Sequence, residues 1–105
     1  MPVKRVSRVT IYLNETDEWH GKPLHLEILR FLSAEGCAGG TVLRGVAGFT
    51  KAAGVVTTSL VDAGGKLPLV LEYIDAMQTV TRVLPHLREM APNRLITMEE
   101  LDLYP

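Results

Sequence analysis

At 105 residues the chain is one domain's length, enough to bury about two-thirds of its unfolded surface without covalent staples. Hydrophobic residues make up 47% and charged residues 22%, and a formal net charge of -1 excludes a broad electrostatic surface for nucleic acid or anionic membrane. The one cysteine, Cys37, excludes an intrachain disulfide framework and fits a reducing compartment. No apolar run approaches the roughly 20 residues needed to span a bilayer and no signal-peptide pattern opens the chain, so the expectation is a cytoplasmic protein.

Val9, Ile11 and Leu13 alternate with Arg8, Thr10 and Tyr12, a period of two that predicts a strand over 8–13 with one face buried. Asn14-Glu15-Thr16-Asp17 ends it as a polar turn. Gly21-Lys22-Pro23 then opens a helix, with Pro23 placed at the first helical position, where a missing N–H is harmless. Leu24, Ile28, Phe31 and Leu32 fall on one face of that helix, and Gly36 stops it.

Gly36, Gly39, Gly40, Gly45 and Gly48 punctuate the next stretch, around Thr41-Val42-Leu43, which has strand composition. Glycines in a strand mark a bend or a place where a ligand or another backbone comes close. Val55-Val56-Thr57-Thr58-Ser59-Leu60 suits a hairpin arm or extension, and Ala52-Ala53-Gly54 and Ala63-Gly64-Gly65 read as hinges, making 50–66 a flexible loop. The run 67–74 is apolar except for Glu72, which predicts a strand buried on both faces.

Asp75 is placed to cap a second helix, with Gln78 reaching back to it. Val80, Val83, Leu84, Leu87 and Met90 form its apolar stripe, and Pro85 within it should kink or locally break the helix. Pro92-Asn93 ends it. Thr97-Met98-Glu99 reads as a turn before a last strand in which Leu101 and Leu103 alternate with Asp102 and Tyr104.

Strand, helix, strand, strand, helix, strand is the order of the ferredoxin-like βαββαβ plait. It is an α+β fold with a four-stranded antiparallel sheet and two helices on one face, and here it fills residues 1–105 as one domain. The arrangement leaves the other sheet face bare, and apolar residues there point to contact with another subunit.

Gly36-Cys37-Ala38-Gly39-Gly40-Thr41-Val42, followed by Gly48-Phe49, resembles the G-x-x-G-x-T-V…G-F run of the PII signalling proteins. Asn14-Glu15-x-Asp17-x-x-x-Gly21-Lys22-Pro23-Leu24, with Thr41 through Phe49, Leu67-Pro68 and Leu95-Ile96-Thr97, is similar over nearly the whole chain to the uncharacterised PII-like family of bacteria and archaea. The resemblance implies a homotrimer with its sheets around a threefold axis and adenine nucleotides in the clefts between subunits. A loop after the second strand would report occupancy to a partner protein, for which a membrane channel or transporter would suit. The positions matching the family's nucleotide cleft are Thr41, Gly48, Phe49 and Glu72.

The sequence also departs from PII proteins. Thr50 stands where they continue with glycine, and Ala91-Pro92-Asn93-Arg94-Leu95-Ile96 replaces their glycine-rich, lysine-containing loop. Their C-terminal arginines have no counterpart. A mono- or diphosphate ligand, AMP or ADP rather than ATP, fits this better.

Read from the residues, Gly45 and Gly48 offer backbone N–H groups to an anion or simply form a strand bend. Arg44 can pair bidentately with a phosphate, or be a solvated or inter-subunit salt-bridge residue. His20 and Lys22 precede a helix N-terminus, where anions are favoured, and are otherwise exposed flanking residues. Trp19 is a stacking surface or an interface anchor. Glu72 accepts a hydrogen bond from the adenine amino group or pairs with a cation across an interface.

His20, His25 and His86 are scattered, so no metal site is expected, and no nucleophile–base pair or cofactor motif suggests an enzyme. The alternative to a nucleotide sensor is a structural or metal-handling trimer resembling the copper-tolerance relatives of PII.

Overall fold

The computed structural model describes residues 4–51, 54–57 and 67–105. In chain order they form β1 (Lys4–Asn14), β2 (Glu18–Trp19), β3 (Lys22–Pro23), α1 (Leu24–Ala34), β4 (Thr41–Arg44), β5 (Ala47–Thr50), β6 (Gly54–Thr57), β7 (Pro68–Asp75), α2 (Met77–Met90) and β8 (Ile96–Leu103). The main sheet is antiparallel in the order β4-β7-β1-β8, with β2-β3 and β5-β6 as separate two-stranded ribbons. This is the ferredoxin-like plait.

The core follows from the two periodicities. Val9, Ile11 and Leu13 of β1 and Leu69, Leu71 and Tyr73 of β7 project to one face at a spacing of two. Leu24, Ile28 and Leu32 of α1 and Val80, Val83, Leu87 and Met90 of α2 lie on single helical faces and close over them. α2 runs continuously through Pro85 rather than breaking there. A mid-helix proline costs about 3 kcal/mol, while burying each of these four stripe residues stabilises by about 1.5–3 kcal/mol, so packing outweighs the lost bond.

Several local expectations are corrected. Pro23 is the N-cap of α1, one position before the helix, because its ψ of 121° is not helical. Asp75 does not cap α2. The N-cap is Ala76, and the Asp75 carboxylate accepts the N–H groups of Ala38 at 2.9 Å and Ala76 at 2.8 Å. Thr97, Met98 and Glu99 form no turn; they pair with Thr10, Val9 and Arg8, so β8 begins at Ile96.

β7 is buried on one face only. Leu69, Leu71 and Tyr73 are covered by helices, but Ile74 remains 39% exposed, because both helices sit on the same side. The glycine-rich stretch is not one strand: β4 stays in the sheet, while β5 leaves it and pairs with β6 as a hairpin. The described part of the expected 55–60 arm, residues 55–57, thus lies in β6, whose strand partner is Ala47–Thr50; 58–60 lie outside the described residues. The rest of the 50–66 loop, apart from Lys51, and the hinges at 52–53 and 63–65 lie outside the described residues. Among the described residues no helix is long and apolar enough to cross a membrane.

Candidate functional site

The open sheet face carries one transverse polar row, Thr41 opposite Glu72, Glu72 opposite Thr10 and Thr10 opposite Thr97. At the end of the sheet where β1 begins, a cleft of about 440 Å³ is lined by Lys4, Val6, Thr41, Glu72, Ile74 and Leu103. Among the described residues no ion pair or side-chain hydrogen bond reaches the Glu72 carboxylate. At the opposite end, where β1 stops, a larger cleft of about 780 Å³ is lined by Tyr12, Asp17, Phe49, Lys51, Asn93 and Arg94 among others. The two are separate but not remote: Glu72 of the first pairs with Thr10, two residues or about 7 Å along β1 from Tyr12 of the second.

The sequence-predicted residues therefore divide. Thr41 and Glu72 share the first cleft. Phe49 lines the second, and Gly48 joins it and Arg94 in a small adjoining pocket. Gly45 and Gly48 are glycines for an intrachain reason: a Cβ at either would stand 2.8 Å or 2.9 Å from Pro68 Cγ. The Gly45 N–H is also committed, donating to the Pro68 carbonyl at 2.8 Å.

Arg44 lines neither cleft; its guanidinium meets Glu15 Oε2 at 2.8 Å. His20 and Lys22 sit in and beside the β2-β3 ribbon, also outside both clefts, and the Leu24 N–H near them donates to the Asp17 carbonyl at 2.8 Å. Trp19 packs partly against the core with its ring edge-on to His20, centroids 4.4 Å apart.

Sequence reasoning missed how the loop between α2 and β8 is built. Arg88, in the last turn of α2, donates from one guanidinium nitrogen to the carbonyls of Ala91 at 3.0 Å, Pro92 at 3.2 Å and Arg94 at 2.8 Å. A cation at a helix C-terminus is favourable because orphan carbonyls gather there. That arrangement presents Arg94 across to Asp17, which it meets as a short ion pair. The Asp17 carboxylate also accepts the Asn14 N–H at 3.0 Å. Two arginines bracketing Pro92-Asn93 were the available signal in the sequence.

Elsewhere burial dominates. It pushes the Cys37 thiol up from its ordinary range, with Asp75 adding and Arg82 opposing, so this cysteine is kept as a neutral thiol. The Tyr73 phenol is 2% exposed, its hydroxyl has no partner among the described residues, and burial raises its pKa strongly. Among the described residues no group of three or more His, Cys, Asp and Glu is placed to hold a metal ion.

The family model DUF190, described as an uncharacterised ACR family, matches residues 6–103. The chain belongs to the DUF190 family. A UPF0166 protein of Methanocaldococcus jannaschii is 33% identical over 95 residues, covering 90% of this chain and 87% of the relative. A UPF0166 protein of Aquifex aeolicus is 29% identical over 103 residues, covering 98% and 97%.

Among solved structures, CPII, a nitrogen regulatory PII-like protein from Thiomonas intermedia K12 bound to ADP, AMP and bicarbonate, superposes with a TM-score of 0.72. It shares 12% identity and covers 97% of this chain and 91% of its own. A candidate PII-like signalling protein from Thermus thermophilus follows at 0.66, with 19% identity and coverage of 98% and 92%. The DUF190 chain thus has the PII-like fold.

Proposed function

We propose that this DUF190 protein is a PII-like regulatory module that binds an adenine nucleotide between the subunits of a homotrimer and performs no chemistry on it. The observation that carries the reading is the division of the candidate residues between two separate clefts. Thr41 and Glu72 line one, and Phe49, Lys51 and Arg94 line the other. Each is half a site on its own, and packing the open sheet faces of neighbouring copies joins one half to the other. CPII, which carries ADP and AMP in its crystals, supports the ligand class.

The charges of the second cleft argue for few phosphates. Lys51 and Arg94 face Asp17 and Glu18, and Arg94 is already engaged by Asp17. A triphosphate would meet more carboxylate repulsion than free cation, so AMP and ADP are favoured over ATP. Occupancy alters the hairpin that bears Phe49 and so the affinity for a partner protein, provided the ligand binds the two hairpin states differently. A cytoplasmic trimer acting on a membrane channel or transporter fits this logic.

Isothermal titration calorimetry with AMP, ADP and ATP, on protein sized by light scattering, tests the reading. Saturable binding stoichiometric with subunits of a trimer, tighter for AMP or ADP than ATP, is expected. A well-folded trimer that gives no heat with any of them would end it.

A further inference from the structure

Glu15 lies one residue beyond the β1-β7 ladder, whose last pair is Asn14 with Pro68, and it continues that register opposite Leu67. Its backbone N–H donates to the Leu67 carbonyl at 3.1 Å. The Leu67 N–H returns to the Glu15 side chain, to Oε1, also at 3.1 Å. In an ordinary antiparallel pair both bonds are backbone bonds. Here a carboxylate oxygen replaces the carbonyl, which leaves the second oxygen, Oε2, free to take the Arg44 guanidinium at 2.8 Å.

One side chain therefore grips both ends of the chain's departure from the sheet: Arg44, the last residue of β4, and Leu67, the residue before β7. The Gly45 N–H to Pro68 carbonyl bond, at 2.8 Å, closes the same neck one step further along. Just past the neck, the β5-β6 hairpin carries Gly48 and Phe49, with Lys51 after β5; Phe49 and Lys51 line the larger cleft. The Glu15 side chain is 16% exposed and that of Arg44 57%, so the carboxylate is the more shielded member of the pair.

We infer that Glu15 is a positioning residue. It clamps the neck between β4 and β7 and so sets where Phe49 and Lys51 stand over the cleft, without touching a ligand itself. The inference rests on the nucleotide reading only for its effect on affinity. It also gives Arg44 a role inside the chain in place of a phosphate contact.

Hydrogen exchange followed by mass spectrometry on the full chain, paired with ADP titration, tests the clamp. In Glu15→Ala the Leu67 and Gly45 amides should exchange about tenfold faster, since bonds to charged groups are the stronger ones, while the amides of Val9 and Leu71 keep their protection. ADP affinity should fall several-fold at unchanged stoichiometry. Arg44→Ala should reproduce part of both effects, and Arg44→Lys, which keeps the charge, should restore most of them. If Glu15→Ala does not fold, Glu15→Gln keeps one acceptor oxygen and should lie between it and the wild type.

Unchanged exchange at Leu67 and Gly45 overturns the clamp. Faster exchange with unaltered ADP affinity overturns the positioning role and leaves Glu15 as part of the fold only. If the wild type takes up no adenine nucleotide, the nucleotide reading fails by itself. The clamp is then decided by exchange at the neck and in the hairpin amides of 47–50 and 54–57.

Discussion

The ring of Pro68 occupies the space that a side chain at Gly48 would need, with Cγ 2.9 Å from where that Cβ would be. A closed pyrrolidine cannot swing aside, so the two residues are matched: the proline that opens β7 leaves room only for glycine in the hairpin strand passing over it. The glycine pattern that looks like a ligand cradle in the sequence is, at this position, a record of an intrachain contact.

Gly48→Ala should therefore destabilise the protein by about 1–3 kcal/mol, the usual range for overpacking. Pro68→Ala removes Cγ and leaves a Cβ 3.5 Å from the new methyl, an ordinary contact. The double variant should then be less destabilised than the sum of the single ones, as directly touching pairs are. Urea unfolding of the four proteins measures this. Strict additivity would mean that the clash is relieved elsewhere.

Arg94 meets Asp17 through one guanidinium nitrogen and keeps its remaining N–H donors for a single phosphate, on a loop whose carbonyls Arg88 fixes. Replacing Arg94 with alanine should weaken ADP binding by about tenfold or more, because a charged hydrogen bond contributes about 1.5–3 kcal/mol. Arg88→Met should act differently, lowering stability by about 0.5–1.5 kcal/mol as three largely solvent-exposed carbonyls exchange this donor for water. Calorimetry and thermal melts on the two variants separate the roles, and equal effects on both would merge them.

The main strands, both helices and the fold class were legible because their periodicities of two and 3.6 survive in the residues that now form the core, from Val9 to Met90. Of the candidate site residues, the sheet sets Thr41 and Glu72 opposite one another. What was hidden is pairing across long separations. Asp17 and Arg94 are 77 residues apart, and no local pattern joins them. Asp75 looked like a cap because its helix follows directly, yet the Ala38 N–H from across the fold claims its carboxylate. Thr97-Met98-Glu99 looked like a turn because threonine and glutamate are polar, and β1 overrides that by offering three consecutive partners.

Tyr73 should make the protein alkali-sensitive. Burial raises its folded pKa above the ordinary value of 10.0, so the neutral phenol is favoured in the native state and the unfolded state gives up its proton first. The associated stability is complete below the unfolded pKa and is lost as pH rises through it toward the folded value; Cys37, raised from 9.0, acts in the same direction. Tyr73→Phe removes a buried hydroxyl that has no partner among the described residues. It should leave neutral-pH stability unchanged or improve it by about 1 kcal/mol, and should flatten the decline between about pH 9 and 11. An identical alkaline profile in the variant would place the sensitivity elsewhere.

Leu43 is 56% exposed on the open sheet face, beside a β7 whose Ile74 is also uncovered, and the helices give neither a partner. If neighbouring copies pack these faces together, each leucine moves from water into an interface and contributes about 1.5–3 kcal/mol there. Leu43→Asp exchanges that gain for the burial of an unmatched carboxylate and should convert the proposed trimer to monomer in light scattering at micromolar concentration. Because Thr41 and Glu72 line one cleft and Phe49 and Arg94 the other, the monomer should lose ADP binding while keeping its secondary structure. A monomeric variant that still bound ADP with wild-type affinity would put the whole site within one chain, and the larger cleft alone would then have to hold the nucleotide.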